Sequence, residues 1–191
     1  MRKVILFMHT SLDGFVAGPN REMDWITFDE ELQNYSKAVH STVDTVLYGS
    51  VTFQRMESVW SNLPESLKQS SFHVEHAKWL ENATKIVFSK SLERVNWENS
   101  EIAKGNVFEE ITALKQQPGK DMIIVGSARF AHSLTKLGLI DEYRINVNPV
   151  VLGEGIPLFK DIPGRIHLKL EESKRFNSGV LGLVYRNLTN E

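Results

Sequence analysis

The sequence predicts an α/β fold in which a central mixed, mostly parallel sheet is covered by helices on both faces and ends in an antiparallel hairpin. Three observations carry this. Short apolar strand patterns alternate with helical patterns through most of the chain. Two strand patterns each end in a glycine that opens onto a helix, at Tyr48-Gly49-Ser50 and Val125-Gly126-Ser127. Near the C-terminus, two further strand patterns flank Asn177-Ser178-Gly179, a turn composition.

In chain order, Lys3–Met8 reads as the first strand, an unbroken apolar run suited to burial on both faces. Glu30–Val39 reads as a helix capped by Thr27 or Asp29. Thr45–Tyr48 is the next strand, with a short helix from Phe53. The stretch from about Ser66 to Leu80 is helical, and Lys85–Phe88 is a strand closed by Ser89-Lys90. Asn106 caps a helix that stops before Pro118-Gly119, with Glu109 placed to reach back. Met122–Val125 is a buried strand, Ala128–Leu137 a helix closed by Gly138, and Glu142–Val151 a strand. Ile166–Arg175 and Val180–Leu188 form the closing hairpin.

The 191 residues, without repeats or a Pro/Gly-rich linker, are expected to form one domain over 1–191. The formal net charge of -2 gives no field for nucleic acid or an anionic membrane. No stretch reaches the ~18 apolar residues of a membrane span. The apolar run Val4–Met8 falls short of the ~7–15 residues of a signal-peptide core. With no cysteine there are no disulfides and no thiolate metal sites, which fits a reducing, cytoplasmic setting. His73-Val-Glu-His76 lacks the surroundings of a zinc motif, so no metal is expected.

Ligands of open α/β sheets bind beyond the carboxyl ends of the strands. There, glycine lets the backbone approach a ligand, and a helix N-terminus offers free N–H groups to phosphate. Two such turns, with Ser89-Lys90 after a third strand, point to a large phosphorylated ligand; the other reading is that the glycines serve only as tight turns. Neither turn is the GxGxxG fingerprint, no GxxxxGK[ST] is present, and no G-x-S-x-G marks a hydrolase.

Several motifs then occur in a set order: Thr10-Ser-Leu-Asp-Gly-Phe-Val-Ala-Gly18, Met23-Asp-Trp25, Gly49-x-x-Thr52, Ser89, Gly126, and Gly153-x-Gly155-x-Pro157-x-Phe159. In these the chain resembles, from Val4 to Tyr185, the C-terminal reductase domain of the bifunctional riboflavin-biosynthesis deaminase-reductase in stand-alone form. The resemblance implies the three-layer α/β/α fold of dihydrofolate reductase and an NADPH cofactor. It implies that the loop from Thr10 through Ala17 to Gly18 lies over the nicotinamide. It places Gly49, Ser50, Thr52 and Phe53 at one turn beside the cofactor phosphates, and Gly126, Ser127, Ala128, Arg129 and Phe130 at a second. Ser89 and Lys90, with Arg129, fall near the adenosine 2′-phosphate. Ser11, Asp13 and Trp25 fall on the substrate side.

Three departures stand out. The family's Gly-Arg-x-x-Thr is here Gly49-Ser50-Val51-Thr52, which removes a cation. Its Gly-Gly is Gly126-Ser127, leaving open whether the cis peptide of dihydrofolate reductases is kept. The deaminase signature is absent and, without cysteine, could not form. For the catalytic acid, the count of five residues past Trp25 reaches Glu30, which either serves substrate or closes a capping box with Thr27. Asp13 is the other candidate, as a substrate contact or as the acceptor of an Asx-type turn.

The resemblance thus implies an NADPH-dependent oxidoreductase that reduces the ribosyl group of 5-amino-6-(5-phosphoribosylamino)uracil or acts on a similar pyrimidine or pteridine. Dihydrofolate reduction is the alternative within enzymes, and a non-catalytic nucleotide-binding dimer the alternative outside them. A phosphosugar substrate would need cations, for which Arg21, Lys37 and Arg55 are candidates. A homodimer is expected, because the long C-terminal strands carry apolar residues on both faces.

Overall fold

A computed structural model describes residues 1–188. Among these the chain runs β1 (Val4–Thr10), β2 (Phe15–Ala17), α1 (Glu30–Ser41), β3 (Val43–Gly49), α2 (Ser50–Trp60), α3 (Glu65–Lys68), α4 (Ser71–Asn82), β4 (Thr84–Phe88) and β5 (Ser100–Ile102). It continues through α5 (Val107–Gln116), β6 (Asp121–Val125), α6 (Ala128–Lys136), β7 (Glu142–Val147), β8 (Ile156–Pro157), β9 (Leu168–Arg175) and β10 (Leu181–Asn187). Eight strands form one sheet in the order β5-β4-β3-β6-β1-β7-β10-β9, while β2 and β8 pair as a small antiparallel sheet. From β5 to β7 the pairs are parallel; β10 runs antiparallel to both β7 and β9. This is the mixed, mostly parallel sheet with a closing antiparallel hairpin that the sequence predicts.

The central strand β1 shows why its run is unbroken. Val4, Leu6 and Met8 pack with Ile111, Leu114, Phe130 and Leu134 of α5 and α6. Ile5 and Phe7 pack on the other face with Val39, Phe53 and Leu80 of α1, α2 and α4. A strand with helices on both sides has no polar face to present. Each such side chain, once fully buried, contributes about 1.5–3 kcal/mol.

Several element boundaries differ from the sequence reading. The helix expected over Ser66 to Leu80 is two helices, because Ser70 turns its hydroxyl onto the His73 amide and starts α4 anew. β7 ends at Val147 rather than Val151: Pro149 has no N–H for the ladder, and Asn148 donates instead to Thr10 O at 2.7 Å. Asp29, not Thr27, caps α1 by accepting from Leu32 N, so the Thr27–Glu30 capping box does not form. Thr27 N instead donates to Asn148 Oδ1 at 3.0 Å. The helix after Gly49 starts at Ser50 and runs eleven residues. Asn106 does cap α5, but Glu110 rather than Glu109 reaches back, accepting from Gly105 N. Strands β2, β5 and β8 are too short to show a period of their own.

Candidate active site

The two strand–glycine–helix turns meet at one edge of the sheet. β3 and β6 are parallel neighbours, with Val46 beside Ile123, so Gly49 and Gly126 both lie at carboxyl ends. A Cβ on Gly49 would come within 3.4 Å of Ser127 Oγ and 3.5 Å of Phe130 Cβ, which shows how closely the turns approach. Gly126 has φ +74, a conformation that glycine adopts without strain, and the Gly126–Ser127 peptide is trans. Phe53 and Phe130 are buried; Phe130 stacks on Phe88 with centroids 5.0 Å apart. They anchor the turns, while Ser50, Thr52 and Ala128 are half-buried.

The helix ends at these turns differ from those of α1, α4 and α5. Side chains of Asp29, Ser70 and Asn106 cap α1, α4 and α5. Neither α2 nor α6 has a side-chain hydrogen bond at its cap, and neither has an acidic residue in its first turn. Among the described residues, no capping side chain accepts from their leading N–H groups, and no carboxylate in the first turn offsets their positive dipole ends.

Beside the turns, the loop after β1 is fastened to a segment far along the chain. Phe15 pairs with Pro157 and Ala17 with Ile156. A Cβ on Gly155 would sit 2.3 Å from Ala17 O, so only glycine permits this approach. Ser11 is buried, and its Oγ accepts from Phe15 N at 2.9 Å. Asp13 accepts from Leu152 N at 3.1 Å and Gly153 N at 2.8 Å. The Ser11 hydroxyl and these amides hold its carboxyl below the usual carboxylate range. Both oxygens of Asp13 thus clamp backbone. Thr10 is buried, and its carbonyl accepts from Asn148. Gly18 receives the Glu22 side chain against its backbone.

Of the residues expected on a substrate side, Trp25 is half-buried and donates from Nε1 to Glu22 O at 3.3 Å. Glu30 is exposed in the first turn of α1. Lys37 is engaged with Glu75 at 2.7 Å, whereas Arg21 and Arg55 are exposed. Ser89 Oγ accepts from Ser91 N and Leu92 N, which shapes the turn after β4 and leaves its own hydrogen to donate. Lys90 and Arg129 are exposed and form no ion pair among the described residues.

Sequence reasoning missed two features. One is a cavity of about 380 Å³ between α2 and the segment after β4, bordered by Phe53, Gln54, Leu92 and Arg94. The other is His9, next to last in β1, whose cross-strand neighbour is Asn146 on β7. Burial pushes the His9 imidazole down to about 4. A histidine ending an apolar strand was the available signal. His73 and His76 lie among aromatic rings, His76 stacked on Phe72 at 5.7 Å. Among the described residues no group of three or more His, Asp or Glu is placed to hold a metal ion. None of the helices among them is long and apolar enough to cross a membrane.

Comparison with known proteins supplies the last observations on this site. Residues 2–182 match the family model described as the RibD C-terminal domain. YyaP, an uncharacterized Bacillus subtilis protein, is 35% identical over 184 residues, covering 96% of this chain and 94% of that protein. Among solved structures, a Shewanella sp. PV-4 protein provisionally assigned to riboflavin biosynthesis superposes with a TM-score of 0.77 at 21% identity, covering 97% of this chain and 98% of that one. Enterococcus faecalis dihydrofolate reductase, complexed with NADP(H), superposes with a TM-score of 0.63 at 14% identity, covering 97% of this chain and 96% of that one.

Proposed function

The chain belongs to the RibD C-terminal domain family, and from that premise we propose that it is a stand-alone NADPH-dependent reductase of a ribosylated pyrimidine or a related heterocycle. The observation that carries this reading is the pair of uncapped helix N-termini, α2 and α6, at the ends of adjacent parallel strands. A dinucleotide fits these residues: two glycine turns admit its phosphates closely, and no carboxylate stands in either first turn to repel them. NADPH, when bound, supplies the hydride.

The remaining residues orient and enclose. Backbone amides at Ser50–Thr52 and Ser127–Arg129 would hold the pyrophosphate. The loop from Thr10 to Gly18, clamped by Asp13 to Gly153 and by β2 to β8, would cover the reacting end and exclude water. Asp13 is then a positioning residue. Glu30, exposed at the start of α1, stabilises the helix N-terminus. Proximity and orientation supply the acceleration without a strong side-chain acid.

Ser89, Lys90 and Arg129 provide the donors for a 2′-phosphate, the feature separating NADPH from NADH. Fluorescence titration should show NADPH binding at least tenfold more tightly than NADH. Arg129→Ala should narrow that gap severalfold while leaving NADH affinity unchanged. Equal affinities in the parent protein would refute the assignment. NADPH oxidation, measured in parallel with 5-amino-6-(5-phosphoribosylamino)uracil and with dihydrofolate, identifies the acceptor.

The protein is further expected to act as a homodimer, joined by a sheet face rather than an edge. The edge strand β9 carries Lys169, Glu171, Glu172, Lys174 and Arg175, charges that discourage strand addition. The face of β10 bearing Leu181, Leu183 and Tyr185 is only partly covered, with Leu181 40% exposed and Leu170, the cross-strand partner of Tyr185, 49%. Light scattering at micromolar concentration should give twice the 21.8 kDa chain mass. A mass of one chain would overturn this.

A further inference from the structure

The edge of the sheet opposite the glycine turns carries a second cavity, of about 200 Å³. It lies where α6 and β10 end, next to the start of β7: Lys136 closes α6, Asn187 closes β10, and Asn187 N donates to Asp141 O just before Glu142 opens β7. α6 has nine residues, a length of about 13 Å. It begins at the Gly126 turn and ends here, so this cavity is separate from the site described above.

What borders the cavity sets its chemistry. Lys136 and Arg165 are the charged residues there, and no carboxylate borders it. Asp161 lies 3.9 Å from Lys136, but the two side chains are 68% and 42% exposed, so this contact offsets little. Arg165 is exposed and forms no ion pair among the described residues. The C-terminal end of α6 carries about half a negative charge. That accounts for a lysine in its last turn, but not for a second cation beside it. The buried polar residues at the cavity are already engaged: Asn187 Nδ2 donates to Ile140 O at 2.9 Å, and Thr135 is hydrogen-bonded to Tyr143. Ile162, Pro163 and Ile166 supply apolar wall. The cavity beside α2 has the opposite balance, since Glu57 and Glu93 border it with Arg94.

We propose that this cavity is an accessory binding site for a small organic anion, a carboxylate or phosphate on a short apolar body, held by Arg165 and Lys136. The arginine fork matches two oxygens of either group, and the lysine adds a point charge. Two full positive charges outweigh the half negative charge of the helix end, so the site favours an anion. Ile162, Pro163 and Ile166 receive the apolar body. The volume falls below the ~300–1,000 Å³ of pockets for drug-sized ligands, which limits that body to one ring or a short chain. The site stands whether or not the reductase reading does.

The test is calorimetry with phenyl phosphate, benzoate, inorganic phosphate and phenol, with NADPH in excess to occupy the ends of α2 and α6. The tighter of phenyl phosphate and benzoate should bind at least tenfold more tightly than inorganic phosphate and than phenol, each of which brings one part alone. Arg165→Gln should weaken that binding at least tenfold and leave NADPH affinity and melting temperature unchanged. Gly164→Leu should weaken it as much by filling the cavity: Gly164 borders it, is not in the left-handed region, and a Cβ there meets nothing within 4 Å. If Gly164→Leu fails to fold, Arg165→Gln decides alone, because an exposed arginine has no ion pair to lose. Variants that bind the probe as the parent does overturn the proposal. So does a parent that binds neither phenyl phosphate nor benzoate, or that binds inorganic phosphate equally well. Light scattering on Arg165→Gln should give the parent's mass; a lower mass would make a second copy the occupant and overturn the proposal too. The variants locate the probe even in a protein that binds no NADPH, which keeps this outcome distinct from failure of the reductase reading.

Discussion

Acidification from pH 6.5 towards 4 should unfold this protein steeply, at up to about 4 kcal/mol per pH unit if three histidines titrate together. Burial pushes His9 and His40 from 6.5 down to about 4. His76 falls to about 3, through burial first and repulsion from His40 and His73 second. His40 stacks on Trp79 at 4.0 Å, and its ring lies 5.0 Å from that of His76, so charging either meets both an apolar wall and the other. The ion pair of Lys37 with Glu75 bridges the same two helices, α1 and α4. The sign follows from proton counts. Below 6.5 the unfolded chain binds protons that the native state refuses, so stability present above 6.5 is lost as pH falls towards the native values. The figure is an upper bound, because His9 is only half-buried and its share is smaller. Urea denaturation at pH 7 and pH 5 measures the effect as a drop in midpoint. His40→Phe should lessen that drop, since phenylalanine keeps the stack and cannot charge. A midpoint that stays level between those two pH values would show that these histidines are not held neutral.

Ser50→Asp should weaken NADPH binding by a hundredfold or more while leaving the fold as stable or slightly more so. Position 50 is the first residue of α2, at an end without a capping side chain or an acidic first turn. A carboxylate there complements the helix dipole and stabilises the helix by about 0.3–1 kcal/mol. The same charge within ~4 Å of a phosphate opposes it by about 4 kcal/mol at an effective dielectric near 20, hence the loss in affinity. The two effects have opposite signs, so a general folding defect cannot imitate the pattern. Thermal melting and NADPH titration of one variant read both. Retained affinity would remove the α2 N-terminus from the cofactor site and with it the observation on which the proposed function rests.

The elements around the two glycine turns were legible because their signals are local. An apolar run, a glycine and a helix period announce the turns at Gly49 and Gly126 within about ten residues each. The sequence order of the motifs placed the loop from Thr10 to Gly18 and the Gly153–Pro157 segment in one family pattern, which the pairing of β2 with β8 joins in space. Other readings turned on competition that sequence does not resolve. Thr27 and Asp29 could each cap α1; Asp29, directly before Glu30, took the role with its carboxylate on Leu32 N, while Asn148, 121 positions along the chain, holds the Thr27 amide. Asp13 read equally as a substrate ligand or a local turn, and its carboxylate went to amides 139 and 140 positions away. The unpaired ends of His9 and Asn146 exist only because β1 lies beside β7 in the register that sets those two residues opposite. By itself, then, the sequence determined most of the longer strands and helices and where the two strand–glycine–helix turns fall, since backbone conformation, capping and periodicity act over a few residues. Tertiary structure alone decided which polar groups meet and which are left without partners, since strand order and register bring together residues that no local pattern connects.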